Sequence, residues 1–237
     1  MRSFEYPAIR QSLRLRGGEL LLDVGTGGGS ALYYLILTGS VRRRSNLLVG
    51  VDLNVSALKS GVSLKNGDDI QFIAAAAEAI PFRRGVFHRI VCSSALEHFT
   101  DDEKGLAEIS ETLDDKGILV LTTDSYKWME LGDIQAKHAK IASVRHYYSP
   151  SLLQNLAERC GLILDGPPKY LHKSTIARFF IKLGVRYCYR GFLYQLSSVV
   201  GVISTRMLGL LAEEDTGFTL LILARRIKVS KSAQGSS

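Results

Sequence analysis

Short apolar runs alternate with helix-patterned stretches through the first two thirds of the chain. Residues 20–24, 47–51, 70–74, 89–93 and 118–122 are short, rich in Val, Ile and Leu, and mostly apolar throughout. Such runs mark strands buried on both faces rather than strands with one wet side. Helical spacing follows at 30–37, 56–65 and 101–113, with a brief helical turn expected near 75–79. Asp101, Asp102 and Glu103 open the helix at 101, where the positive end of the helix dipole favours carboxylates. Ser149 followed by Pro150 predicts an N-cap and first helical residue, with the helix running to Cys160 and Gly161 ending it. Two further strands are expected at 162–164 and 219–225. Strands alternating with helices predict an α/β, Rossmann-like, seven-stranded and mostly parallel sheet with helices on both faces.

Residues 172–216 break this rhythm, and they predict a helical insertion before the last strand. The expected organisation is one domain formed by 1–171 and 217–228, a basic and apolar insertion at 172–216, and a polar, disordered tail at 229–237. A length of 237 residues can bury a core without disulfides or structural metals. Cys92, Cys160 and Cys188 are far apart in sequence, which speaks for a reducing compartment and against a zinc site. No apolar segment follows Arg2, so no secretory signal is expected.

The strongest motif is 21–29, Leu-Leu-Asp-Val-Gly-Thr-Gly-Gly-Gly: an apolar strand enters a loop with glycine at 25, 27 and 29, and a helix begins at once. Glycine permits positive φ and close approach of a ligand to the backbone, and the helix start offers unpaired N–H groups. A dinucleotide fingerprint would place glycine at 30, where this chain has Ser30. That weakens an NAD-dependent oxidoreductase reading without removing it. The second strand ends in Asp52, beside the glycine loop, where a carboxylate can accept from both hydroxyls of a ribose. An ordinary cap of the next helix is the competing role for Asp52.

In these residues the chain resembles the class I S-adenosylmethionine-dependent methyltransferases, of the small single-domain type related to quinone-biosynthesis methyltransferases. Five blocks carry the likeness in order: 21–29, Gly-Val-Asp-Leu-Asn at 50–54, Ala-Glu-Ala-Ile-Pro-Phe at 77–82, the run 87–99 through Leu96-Glu97-His98-Phe99, and 113–120 with its glycine at 117. The resemblance implies S-adenosylmethionine as cofactor. It implies Asp23 orienting the methionine amino group, and Gly25, Gly27 and Gly29 forming the loop against it. It also implies Asp52 on the ribose, Leu53 on the adenine, Ala77 and Glu78 at the adenine edge, and Ser93 and Ser94 facing the cofactor. Two positions depart from the pattern: Ala76 stands where many relatives have Asp, and Thr26 where Cys or Ser is common.

Methyl transfer from a sulfonium needs alignment and, for some acceptors, removal of a proton. His98 is the candidate general base, since imidazole titrates near neutrality. Alternatively, Glu97 and His98 cap the following helix and shape the pocket. The chain lacks the Asn/Asp-Pro-Pro-Tyr/Phe tetrapeptide of amino methyltransferases and a carboxylate cluster at Asp124, so neither a nucleobase acceptor nor a metal is expected. Tyr126, Lys127 and Trp128, and then Arg145, His146, Tyr147 and Tyr148, form a candidate aromatic and cationic acceptor rim.

Charge separates the two parts of the chain. The formal net charge is +7; residues 1–171 carry 20 basic and 20 acidic side chains, and 172–237 carry 10 and 3. A neutral body with a basic segment argues against nucleic acid as the partner. Arg178, Lys182, Arg186 and Arg190 recur at four-residue spacing among aromatic and aliphatic side chains, which on a helix makes one basic stripe. The segment reads as a lid over the acceptor, as an interfacial contact of 173–212 with an anionic membrane surface, or as a spanning helix at 192–212. The expected partner is a small-molecule or lipid-like acceptor. The expected location is cytoplasmic, with the inner membrane face open to it as a peripheral site. A non-catalytic nucleotide-binding, membrane-associated protein is the other class left open.

Overall fold

The computed structural model describes residues 5–41, 47–63, 70–171, 179, 182–183, 185–186 and 217–227. Among the described residues, eight strands form one sheet: β1 (Leu20–Val24), β2 (Leu47–Asp52), β3 (Ile70–Ala74), β4 (Phe87–Ser93), β5 (Leu113–Asp124), β6 (Leu162–Leu164), β7 (Lys169–Leu171) and β8 (Thr219–Arg226). Their order is β3-β2-β1-β4-β5-β8-β6, with β7 also paired to β8. The pairs from β3 to β5 are parallel, and β8 runs antiparallel to β5, β6 and β7. The strand order reverses beside β1, so β1 and β2 open a crevice at their C-terminal ends, where sheets of this kind bind ligands.

Side chains alternate between two apolar layers, as a pleated strand requires. Leu22, Ile90, Cys92, Leu119 and Leu121 pack in one layer against α4 (Asp102–Thr112) and α6 (Pro150–Arg159). Leu21, Val91 and Val120 pack in the other against α1 (Tyr6–Leu13) and α2 (Ser30–Leu37). Burial on both faces accounts for the continuous apolar runs in the sequence. Among the described residues, α3 (Val55–Ser63) and α5 (Asp133–Ala142) are further helices.

Most of the expected elements are found within a few residues of their predicted ends. Asp101 caps α4 by accepting from the Lys104 amide at 2.9 Å, and Ser149 caps α6 by accepting from the Leu152 amide at 3.1 Å. Four differences have local causes. The three-residue β7, which raises the sheet from seven strands to eight, is too short to show a period. The turn expected as a helix near 75–79 is a non-helical loop closed by Ala79 N–H to Ala76 O at 3.2 Å. The α1 and α5 helices escape periodicity analysis because each is short and packs few side chains inward. The glycine turn before the fifth strand lies inside β5 as a bulge: Phe87 pairs with Leu113 and Arg89 with Ile118, so residues 114–117 loop out of register.

Beyond β5 lies a smaller aromatic core. Trp128 is fully buried, stacked on His138 at 4.0 Å and on Phe218 at 4.4 Å, with Val185 packed beside them. Trp128 is therefore a core residue and not part of an acceptor rim. Phe179, Lys182, Leu183, Val185 and Arg186 have helical backbone. The rest of the insertion, including Arg178, Arg190 and 192–212, and the tail at 229–237 lie outside the described residues. No helix among the described residues is long and apolar enough to cross a membrane.

Burial, with the charge of His98 adding to it, lowers the pKa of His138 from 6.5 to about 4. The unfolded chain protonates this histidine near pH 6.5 and the folded one only near 4, so its contribution to stability is present above 6.5 and lost as pH falls through that window. Urea unfolding at pH 7 and 4.5 should show the parent losing stability relative to His138→Gln as pH falls. A pH-independent difference between the two would contradict the assignment.

Candidate functional site

The site grows from the C-terminal ends of β1 and β2. The Gly25 and Thr26 amides both donate to the Val51 carbonyl, at 2.8 and 3.0 Å, which turns the chain sharply out of β1. Gly25 has φ +72°, and a Cβ there would lie 2.4 Å from the Ala95 Cβ, so glycine is required on both counts. Thr26 Oγ1 donates to the buried Asp23 carboxylate at 2.7 Å. Asp23 thus braces the loop from beneath.

The Asp52 carboxylate joins the two strand ends. One oxygen accepts from the Gly27 amide and the other from the Asn54 amide, each at 2.7 Å. The helix cap that could have explained Asp52 is made by its neighbour: Asn54 Oδ1 accepts from the Ala57 amide at 3.1 Å, at the start of α3. Asp52 is consequently a rim residue, with its carboxylate already aligned by the loop that it faces.

These groups enclose a cavity of ≈ 560 Å³. Of the residues singled out in the sequence, Gly25, Gly27, Asp52, Leu53, Ala77, Glu78 and His98 line it. Leu53 is 74% exposed, an unusual setting for a leucine and a suitable one for packing on a flat ring. Glu78 Oε1 accepts from the Thr100 and Asp101 amides, at 2.8 and 3.3 Å, and holds the loop before α4.

His98 lies in a single 3₁₀ turn, Leu96–His98, with Nδ1 3.1 Å from the Ser143 carbonyl. A carbonyl only accepts, so Nδ1 carries the proton and Nε2 is the basic nitrogen of the neutral ring. The competing capping role is taken by Asp101 for the helix, while Glu97 is buried and accepts from Thr123 Oγ1 at 2.9 Å.

Gly29, Asp23, Ser93 and Ser94 stand behind the cavity wall. Gly29 is the N-cap of α2 at φ +80°, and Phe72 fills the space a side chain would need. The expectation that Ser93 and Ser94 face the cofactor needs correction, because their hydroxyls turn to Glu5. This carboxylate, 2% exposed at the start of α1, accepts from Ser94 Oγ at 2.9 Å, from Ser93 Oγ at 3.2 Å and from Thr122 Oγ1. A buried carboxylate must collect donors, and the ends of β4 and β5 supply them. Sequence reasoning passed over Glu5, a lone acid near the chain start with no motif around it.

A family profile described as a methyltransferase domain matches residues 22–121, which span the glycine loop, Asp52, Glu78 and His98. The ubiquinone/menaquinone biosynthesis C-methyltransferase UbiE of Hahella chejuensis is 25% identical over 182 residues, covering 63% of this chain and 69% of that one. Residues 22–121 thus carry a methyltransferase domain, and the chain is similar to the class I S-adenosylmethionine-dependent methyltransferases. Solved structures agree on the fold. An S-adenosylmethionine-dependent methyltransferase from Mesorhizobium loti superposes with a TM-score of 0.66 at 18% identity, covering 94% of this chain and 98% of that one. Geranyl diphosphate C-methyltransferase from Streptomyces coelicolor, solved with Mg²⁺, geranyl diphosphate and S-adenosyl-L-homocysteine, gives 0.68 at 16% identity, covering 95% and 80%.

The cofactor is S-adenosylmethionine, and the cavity suits it: Gly25, where a Cβ would collide with Ala95, and Gly27 line it, and the Asp52 carboxylate stands at the rim. NAD, the alternative that Ser30 had weakened, is set aside.

Burial raises the pKa of Glu5, with Glu97 adding repulsion, while hydrogen bonds from Thr122, Ser94 and Ser93 oppose the shift. A raised carboxyl contributes stability below its unfolded value near 4.5 that is lost as pH rises through the folded value. Glu5→Gln should therefore gain stability over the parent as pH rises from 4.5 to 8, read as thermal midpoints at both ends. A gap that stays constant with pH would show that Glu5 titrates as in the unfolded chain.

Proposed function

We propose that this methyltransferase transfers a methyl group to a small-molecule or lipid-like acceptor by in-line displacement. His98 is its general base, and residues 1–171 with 217–228 form the catalytic unit. The observation that carries the reading is the pairing of the cavity below Asp52 with an imidazole whose basic nitrogen is set by the Ser143 carbonyl. When bound, S-adenosylmethionine supplies a methyl group on a positively charged sulfur, already activated for displacement.

The chain's own groups do the rest. Asp52 would accept from the ribose hydroxyls, and Leu53 would pack on the adenine beside Ala77 and Glu78. Gly25, Gly27 and Gly29 let the loop lie against the amino-acid part, with Asp23 and Thr26 bracing it. Ser93 and Ser94 act from behind the wall. His98 Nε2 would take the proton that the acceptor gives up on methylation. A positioned base of this kind contributes about 10²–10⁴-fold.

Two relatives support the acceptor class. One is named for C-methylation in ubiquinone and menaquinone biosynthesis, and the other for C-methylation of geranyl diphosphate. Lipophilic acceptors of that kind also suit the basic excess of residues 172–237. That excess favours contact of 173–212 with an anionic membrane surface on the cytoplasmic side, each cation adding about 1 kcal/mol.

Asp52→Ala should weaken S-adenosylhomocysteine binding at least tenfold by calorimetry, and unchanged affinity would overturn the ribose assignment. Once a labelled-methyl screen of cell-extract fractions has identified the acceptor, His98→Ala should lower kcat about 100-fold at unchanged cofactor affinity. Turnover equal to the parent's would remove His98 as base.

A further inference from the structure

A second cavity, of ≈ 480 Å³, lies among α4, α5, α6 and residues 144–148. Its lining and that of the first cavity are joined through residues 97 and 98. The Arg145 and His146 amides donate to the Glu97 carbonyl, at 2.8 and 3.3 Å, and Ser143 holds His98. Phe99 and Thr100 line the first cavity, and Asp102 lines the second.

The walls of this second cavity divide by chemistry. Met129 and Leu152, 60% and 48% exposed, present apolar surface beside buried Leu156. Exposed leucine and methionine at a concave site are a recognition feature rather than a core one. The acids at this end are already answered. Asp102 accepts from the Tyr148 hydroxyl at 2.7 Å, and Glu103 pairs with Arg159 at 3.0 Å. Among the described residues the Arg145 guanidinium makes no ion pair or hydrogen bond. The unanswered charge at this cavity is therefore positive.

Tyr147 is held rigidly in the same wall. The Nε2 of His138 lies 3.7 Å from the Asp124 carboxylate, and its Nδ1 is hydrogen-bonded to the Tyr147 hydroxyl at 2.9 Å. The Tyr147 hydroxyl is thereby tied to the core, with the residue part of the cavity wall.

We propose that the second cavity holds the methyl acceptor as an anionic amphiphile. Its carboxylate or phosphate rests on Arg145, its apolar body lies along Met129, Leu152 and Leu156, and its reacting end reaches over the 97–98 rim toward His98. This assignment rests on the methyl-transfer reading above.

Calorimetry on the full chain, with octyl phosphate and octanol below their aggregation limits, tests it. Octyl phosphate should bind at least tenfold more tightly than octanol. Arg145→Gln should abolish about tenfold of that affinity, whereas Arg10→Gln, which removes an exposed charge on α1 away from both cavity linings, should leave it intact. Equal binding of the two probes, an Arg145→Gln variant that binds like the parent, or an equal loss in Arg10→Gln would each overturn the site. In a labelled-methyl screen the product should be retained on an anion-exchange resin, and a neutral product would overturn the acceptor class. Failure of the parent to bind S-adenosylhomocysteine would instead strike the methyl-transfer reading, whatever octyl phosphate does.

Discussion

One carboxylate ties the two halves of the crevice together. Asp52, at the end of β2, accepts from the Gly27 amide of the loop that leaves β1 and from its own chain at Asn54. The Val51 carbonyl, one residue earlier, accepts from Gly25 and Thr26. Four backbone donors are thus satisfied by two adjacent residues, and the glycine loop cannot drift from the strand that carries the rim carboxylate. The cost of leaving the buried or half-buried Gly25, Thr26 and Gly27 amides unpaired, about 1–3 kcal/mol each, holds the cavity in shape. Gly25 is part of the same constraint, because any side chain there would collide with Ala95 on the opposite wall.

The opposite wall depends on a different buried charge. Glu5 gathers hydroxyls from β4 and β5 and so anchors α1 on the strand ends where the wall begins. Ser94 sits there at φ +45°, a conformation unfavourable for serine, with its amide on Thr122 and its hydroxyl on Glu5. Ala95 and the His98 turn follow directly. The position of the basic imidazole is therefore set from two sides, by the strand ends through Ser94 and by the Ser143 carbonyl through Nδ1.

Charge is distributed in the same economical way. The acids around the second cavity are paired locally, and the cofactor cavity presents Asp52 and Glu78 already hydrogen-bonded to backbone amides. Most of the net positive charge of the chain lies beyond residue 171.

The parallel strands, the glycine loop and the acid after β2 were legible in the sequence because each has a local cause. Burial on both faces makes a strand uniformly apolar, and a positive φ or a close contact selects glycine. Caps at Asp101 and Ser149 were equally local. Glu5 carried no such mark, since its partners lie 88 to 117 residues away. Ser93 and Ser94 were misread for the same reason: their position beside the site was visible, but the direction of their hydroxyls depended on a distant helix. Trp128 looked like a rim aromatic until Phe218 and His138 enclosed it. The sequence alone determined the α/β class and the glycine loop after β1, because backbone geometry and burial act on neighbours along the chain. Only the tertiary structure decided which polar groups face the cavity and which face each other, because buried hydrogen bonds are made between segments that the chain order keeps far apart.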